Sequence, residues 1–234
     1  SFWFNATYYL GFEDDYDAGI KFIYDDDSWN LQAAFYKNPE YIDSERYGRY
    51  SFDLVTDDIQ GNQEINQFNI RSANKWNINE DLLMNLGLSL EAGQIYNKIT
   101  KEKGNRHAFA LHNNMFYKNW NIQLQWISNE YNPKNPENLS EKTIQFGAFM
   151  FPFEVSSKAD VYTFNLANDI HINKKYLDRI KLYLNMSMVS PKQGYGSDSK
   201  QIVLGTTLIK RGLYAYFDYI FGKNMWFSGG PGIG

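Results

Sequence analysis

The segment from residue 180 to 188, IKLYLNMSM, alternates strictly between two kinds of side chain. Leu182, Leu184 and Met186 fall on one side of an extended chain, because strand side chains alternate with a period of two. Lys181 and Asn185 fall on the other side. The segment therefore predicts a β-strand with one apolar face and one polar face, and such a strand must lie between two different environments.

Similar alternation recurs along the whole chain. The segments are 18–24, 29–36, 67–76, 82–92, 106–117, 120–126, 161–170, 180–188, 201–209 and 213–221. We therefore predict an all-β, antiparallel fold of about ten strands, each near the ~10 residues that cross a bilayer at a tilt. Strands of soluble sheets are shorter, at ~5 to 6 residues.

The connections between these strands fall into two classes. The tight ones are 24–29, 77–81, 118–120, 173–178 and 210–212, and the long ones are 37–66, 97–105, 131–160, 190–200 and the residues from 222 onward. Tight and long connections alternate if the strand-like pieces at 46–55 and 143–153 lie inside long connections. This regularity is typical of a transmembrane β-barrel with short periplasmic turns and long external loops.

Composition excludes several classes of protein. The chain has no cysteine, so disulfides and thiolate sites are excluded, and its net charge of -4 does not favour nucleic acid as a partner. No apolar run is long enough for a membrane-spanning helix. Four tryptophans are predicted near strand ends, where an aromatic belt meets lipid headgroups, namely Trp29, Trp76, Trp120 and Trp126. Alternation alone leaves open a soluble β protein whose apolar face is inside.

Several segments resemble a known family. They are YYLGFEDDYDAGIKF, WNLQAAFYKN, RYSFDLV, NQFNIR and YAYFDYIFGKN. In patches along nearly the whole chain, the sequence is similar to Gram-negative outer-membrane porins of the phosphate-selective porin O/P-like group. The resemblance implies a barrel of roughly sixteen strands in the cell outer membrane. It also implies strands before Ser1 and a closing strand after Gly234, so we expect residues 1–234 to be an incomplete stretch of one barrel domain.

The polar faces of the strands are expected to line a water-filled lumen, where scattered charges of both signs set selectivity. The candidate pore-lining residues are Lys21, Arg46, Arg49, Arg71, Lys75, Glu91, Arg106 and Asp218. Arg46 and Arg49 belong to a predicted loop, and arginine suits planar anions because its guanidinium offers paired donors. Solvated loop charges are the alternative interpretation of these two residues.

The first 17 residues do not alternate and are predicted to form the end of an external loop that folds into the lumen. The candidate constriction residues are Phe2, Trp3, Tyr8, Tyr9, Glu13, Asp14, Asp15 and Asp17. The aromatic side chains would pack the loop against the wall, and the acidic ones would face water. Calcium binding by these acids is the alternative, but they lack the spacing of a calcium loop. We predict no metal.

The sequence carries no recognisable catalytic motif. The histidines are His107, His112 and His171, and no nucleophile elbow, metalloprotease helix or phosphate-binding glycine loop is present. We therefore expect a protein that is not an enzyme and needs no cofactor.

Three functions are consistent with these patterns. The first is a porin through which small hydrophilic solutes or ions diffuse passively, with outer-membrane lipid around it. The second is a non-conducting outer-membrane barrel that acts as a binding or structural partner through its long loops. The third is a soluble β protein. A homotrimer or another envelope protein is a further candidate partner.

Overall fold

A computed structural model of the chain describes residues 3–12, 18–38, 52–55 and 59–234. The described residues form one short helix and thirteen strands. Their bounds are α1 (Ala6–Tyr9), β1 (Ala18–Asp25), β2 (Trp29–Asn38), β3 (Asp53–Leu54), β4 (Asn62–Asn79), β5 (Leu82–Asn97), β6 (Lys103–Tyr117), β7 (Trp120–Asn132), β8 (Thr143–Ala148), β9 (Phe151–Ser156), β10 (Lys158–Lys174), β11 (Leu177–Pro191), β12 (Ser199–Lys210) and β13 (Leu213–Lys223).

Ten strands form a single antiparallel sheet in the order β1-β2-β4-β5-β6-β7-β10-β11-β12-β13. Each strand pairs with the next strand of the sheet along the chain, so the sheet is a meander. All ten predicted strands are present in the predicted order. The fold class is therefore confirmed as an antiparallel β-sheet of ten strands.

The strands are longer than predicted, and their lengths range from 8 to 18 residues. Extra residues lie at the ends joined by the longer connections, at 39–61, 98–102, 133–157 and 192–198, and also at some tight turns, at 77–79, 171–174 and 177–179. Polar side chains are common on both faces at these ends, so hydrophobic alternation ends before the strand pairing does. The tight connections are at 26–28, 80–81, 118–119, 175–176 and 211–212, within the ranges predicted for them.

Strands β3, β8 and β9 form a separate small sheet. They come from the two strand-like pieces that were predicted to lie inside long connections, and they do lie outside the main sheet. One of the four tryptophans differs from its prediction: Trp126 lies in the middle of β7, because this strand continues to Asn132. Trp29 and Trp120 each begin a strand.

The buried core lies on the polar face of the main sheet. Tyr8, Tyr9 and Phe146 are fully buried there, together with Ile127 of β7 and Val161 of β10. The helix α1 contacts β10 and β11. The N-terminal segment and the small sheet therefore cover part of the polar face. Their apolar side chains are buried between these elements and the main sheet.

Strands β1 and β13 are the two edges of the main sheet, and each is paired on one side only within the described residues. All eight residues of β1 are exposed. Among the described residues, no helix is both long and apolar enough to cross a membrane.

Candidate functional site

Six predicted pore-lining residues are described by the structure, and all six lie on the polar face of the main sheet. They are Lys21, Arg71, Lys75, Glu91, Arg106 and Asp218. Residues that pair directly across antiparallel strands share a face. Successive pairs from β1 to β13 connect the positions of these six residues, and the pairing places all six on the face opposite the apolar one.

Three charged side chains and one imidazole of this face line one cavity of about 590 Å³. They are Lys21, Arg71, Glu91 and His112, and side-chain amides make up much of the remaining wall. Gly87 pairs with His112 across the strands, and a β-carbon at residue 87 would lie 2.3 Å from His112 Nε2. The glycine therefore makes room for the imidazole at the wall of the cavity.

The cations of this face differ in their partners. Lys21 and Arg71 form no ion pair with another described residue, so both positive charges remain available to the cavity. Lys75 lies near the tight turns instead, where its Nζ is 2.8 Å from Asp25 Oδ1 and 2.9 Å from the carbonyl oxygen of Asp26. Lys75 is therefore already neutralised and does not line the cavity.

Arg106 is buried in an ionic cluster that the sequence did not reveal. Its guanidinium pairs with the carboxylates of Glu64 and Glu91, donates to the Tyr131 hydroxyl at 3.4 Å and lies 5.0 Å from the centre of that ring. Both Arg106 and Glu64 are almost wholly buried. Glu91, on the cavity wall, is thus already paired with a cation.

A β-bulge brings Glu64 into this cluster. Asn66 has a φ of 52° at the point where the register of β4 shifts between Ile65 and Phe68. Glu64 and Arg71 are separated by seven residues, so simple alternation would put them on opposite faces. The bulge reverses the parity and turns both side chains to the polar face.

The described part of the N-terminal segment lies on the polar face, anchored by three strands. The Trp3 N–H donates to Asp218 Oδ2 at 3.2 Å, and the Ala6 N–H donates to Ser187 Oγ at 3.1 Å. The Gln201 side chain donates to the carbonyl oxygen of Phe4. Asp218 also accepts a hydrogen bond from Tyr183, so it holds this segment to the wall and does not line the cavity.

The aromatic residues of this segment pack into a cluster. Tyr8 stacks on Phe4 with ring centres 4.0 Å apart, and both Tyr8 and Tyr9 contact Phe52 of the small-sheet region. Burial raises the pKa of the Tyr9 hydroxyl. These aromatic side chains pack the N-terminal segment against Phe52.

Seven predicted site residues lie outside the described residues. They are Phe2, Glu13, Asp14, Asp15, Asp17, Arg46 and Arg49. Among the residues that the structure does describe, His, Asp and Glu side chains form no group of three or more that could hold a metal ion.

Comparisons with family models, with curated proteins and with solved structures find no match to this chain. The porin resemblance therefore remains a hypothesis, and the functional argument depends on the faces of the sheet and on the cavity.

Proposed function

We propose that this chain forms part of the wall and the inner constriction of an outer-membrane β-barrel of a Gram-negative bacterium. Small hydrophilic solutes or ions would diffuse passively through this barrel. The observation that carries the proposal is the distribution of side chains on the main sheet: large apolar groups are exposed on one face, while the core and the polar cavity lie on the other.

The exposed apolar face extends across all ten strands. Phe22 of β1 is 72% exposed, Leu124 of β7 is 50% exposed and Phe217 of β13 is 63% exposed. Soluble monomers rarely expose apolar patches larger than a few hundred Å². A membrane barrel has the opposite arrangement to a soluble one, with its apolar band facing lipid. The face therefore supports insertion into a membrane.

Charged residues bound this apolar face at the end of the longer connections. His107, Glu130 and Lys158 are neighbours on three adjacent strands of the same face, with Glu130 paired to Lys158 and 3.6 Å from His107 Nε2. We call the part of the sheet between these charged residues and the tight turns the band; on β7 the band extends from Trp120 to Ser128, about nine residues, which matches the ~9 to 11 residues of a tilted membrane strand. Strand residues beyond His107, Glu130 and Lys158 would lie outside the bilayer.

Aromatic residues bound the band at the end of the tight turns. Trp29, Trp76, Tyr117 and Trp120 are each close to half exposed near that end. Amphipathic rings of this kind favour the interface between lipid and water. The two boundaries are consistent with one bilayer crossing per strand.

The open edges at β1 and β13 would be closed by further strands in the complete barrel, because unpaired backbone groups are not tolerated in the hydrocarbon region. The polar face would then enclose a lumen. The N-terminal segment and the small sheet cover part of it, and the polar cavity lies beside them.

A non-conducting barrel is the second candidate, and the anchored N-terminal segment is the observation that favours it. Three strands hold this segment across the polar face through Asp218, Ser187 and Gln201. If the cover fills the whole lumen, the long connections would serve as a binding surface and no solute would pass.

Single-channel recording separates these candidates. The full-length protein, purified in detergent and added to a planar lipid bilayer, is expected to produce discrete conductance steps. Protein that inserts into vesicles and resists extraction by carbonate, yet gives no steps, would refute the channel and favour the non-conducting barrel. Protein that stays soluble without detergent would refute both.

A further inference from the structure

Two lysines lie side by side at one end of the apolar face, on the last two strands of the main sheet. Lys200 of β12 pairs directly with Lys223 of β13, and both side chains are exposed. The next pair on the same face is Ile202 and Phe221, so the lysines belong to the apolar face. Residues directly opposite each other in a sheet have β-carbons about 4.5 to 5.5 Å apart. The two ammonium groups can therefore reach the same anionic group.

This lysine pair has no acidic partner among the described residues. Neither lysine forms an ion pair there. Asp198, two residues before Lys200, accepts a hydrogen bond from Ser190 Oγ at 3.0 Å instead. Like charges directly opposite each other destabilise a sheet. An anion that binds between the two ammonium groups would remove this repulsion.

Other charged residues at this end of the apolar face neutralise one another. Lys158 pairs with Glu130, and Lys192 pairs with Asp160. The strand β13 has 11 residues from the tight turn to Lys223, so the lysine pair lies just beyond the band, which is about nine residues long on β7. The lysine pair therefore adds two positive charges at the level where the apolar face would leave the hydrocarbon.

An apolar surface continues from the lysine pair into the band. Phe221 is 49% exposed, and its ring centre lies 4.6 Å from that of Tyr219. On the other side, Lys200 pairs with Met188 of β11, and Met188 pairs with Tyr162 of β10. These three successive neighbours line a groove of about 610 Å³. The surface thus combines a doubly positive end with apolar side chains along the strands.

The charge of the lysine pair distinguishes between anionic groups. A phosphate monoester carries a charge of about −1.5 to −2 at pH 7 and has three acceptor oxygens. A phosphodiester or a carboxylate carries one negative charge and would leave one lysine without a counterion. A lipid with a phosphate monoester combines the matching charge with acyl chains for the apolar side chains.

We propose that Lys200 and Lys223 form a docking site for a lipid that carries a phosphate monoester. The phosphate binds between the two ammonium groups, and the acyl chains lie along Phe221 and Met188. This inference rests on the proposed function, because it requires the apolar face to meet lipid.

Quenching by spin-labelled lipids tests this site. The chain has no cysteine, so Leu204→Cys, at an exposed position on the apolar face of β12, provides one site for a fluorescent dye. The full-length protein is folded into phosphatidylcholine vesicles with a small fraction of nitroxide-labelled phosphatidate, phosphatidylglycerol or phosphatidylcholine. Each lysine near a membrane surface strengthens binding of anionic lipid by about fivefold. We expect phosphatidate to be enriched about tenfold or more over phosphatidylcholine, with phosphatidylglycerol between them.

Substitutions of the lysine pair assign the enrichment to these two side chains. Lys200→Gln and Lys223→Gln together are expected to reduce the enrichment of phosphatidate to about that of phosphatidylcholine. Lys200→Arg and Lys223→Arg together keep both charges and are expected to retain it. Lys103→Gln is the matched control, since Lys103 is exposed at the same end of the same face but pairs with Tyr96. Wild-type enrichment in the double glutamine variant, or an equal loss in Lys103→Gln, would overturn the site.

Inorganic phosphate separates the lipid from its headgroup. Sodium phosphate at the concentration of the labelled phosphatidate, with ionic strength held constant, is expected to lower the enrichment less than twofold, because the free ion has no acyl chains. Loss of the enrichment under these conditions would show that the lysines bind phosphate without the lipid, and would overturn the proposal.

Failure of the site and failure of the proposed function give different results. Equal quenching by all three labelled lipids, in protein that gives conductance steps, would overturn the site and leave the channel. No quenching by any labelled lipid would overturn the placement of the apolar face in lipid, and both proposals with it. Phosphatidate enrichment in protein that gives no steps would support the site and favour the non-conducting barrel.

Discussion

Placing a charge in the centre of the apolar face is the strongest single perturbation of the proposed membrane orientation. Leu124 is central in the band on β7, and its side chain is 50% exposed in the isolated chain. If that face met water, Leu124→Arg would change the free energy of unfolding by about 0.5 kcal/mol or less, as surface substitutions usually do. If it meets hydrocarbon, the cost is about 2 to 4 kcal/mol, the value for arginine at the bilayer midplane of a barrel.

Gln125→Arg is the matched control. Gln125 is the next residue of the same strand, and it lies on the opposite, polar face, where it pairs with Thr163 of β10. Its side chain would already lie in an aqueous lumen, where substitutions alter selectivity more than stability. We therefore expect Gln125→Arg to stay within about 1 kcal/mol of wild type.

The assay is equilibrium urea unfolding of the full-length protein in phosphatidylcholine vesicles, followed by tryptophan fluorescence. The difference in unfolding free energy between the two variants gives the cost of a charge on the apolar face. The strand, the depth in the bilayer and the introduced side chain are nearly the same in both variants. Equal unfolding free energies for Leu124→Arg and Gln125→Arg would refute the assignment of the faces.

Three further results are expected. Arg106→Met leaves the Glu64 carboxylate buried without its cation, so the free energy of unfolding in urea should fall by about 3 to 5 kcal/mol. Adding Glu64→Gln should recover part of this loss. A loss below about 1 kcal/mol would contradict the buried pairing. The Tyr24 hydroxyl and nearby backbone N–H groups lower the pKa of Asp26 in the first tight turn, so the contribution of Asp26 to stability is present above its unfolded-state pKa and is lost as pH falls through its folded-state pKa. The melting temperatures of Asp26→Asn and wild type should therefore converge in acid. A difference in melting temperature that stays constant with pH would contradict this prediction. Asp218→Ala removes the acceptor of the Trp3 N–H, so the N-terminal segment should be held less firmly and single-channel conductance should become larger or noisier. Unchanged current traces would show that the contact between Trp3 and Asp218 does not hold the constriction.

The strands could be predicted from the sequence because the apolar band imposes a period of two wherever a strand crosses it. Segment 180–188 alternates because successive side chains point in turn to the apolar face and to the polar face of the sheet. Residues 129–132 do not alternate, because Glu130 lies beyond the band and both faces there are polar or covered. Strand ends on that side therefore leave no hydrophobic signal.

The site could be predicted only in part, for reasons of register. Alternation placed Lys21, Arg71 and Glu91 on one face, but it does not say which residues of separate strands meet in a cavity. The bulge at Asn66 reverses parity within one strand, so no periodic pattern could assign Glu64 to the cluster around Arg106. The fold of the N-terminal segment over the polar face depends on contacts far apart in the sequence.

A cysteine scan along β11 tests the central claim most directly. The chain has no cysteine, so each single substitution provides one labelling site without background. Cysteines at Leu182, Leu184 and Met186 and at Lys181 and Asn185 are coupled to an environment-sensitive dye in protein folded into vesicles. We predict blue-shifted emission that is quenched by nitroxide lipids at Leu182, Leu184 and Met186, and water-like emission without lipid quenching at Lys181 and Asn185. Water-like emission at all five positions, or lipid quenching at the second set, would contradict an apolar face in lipid and a polar face in water.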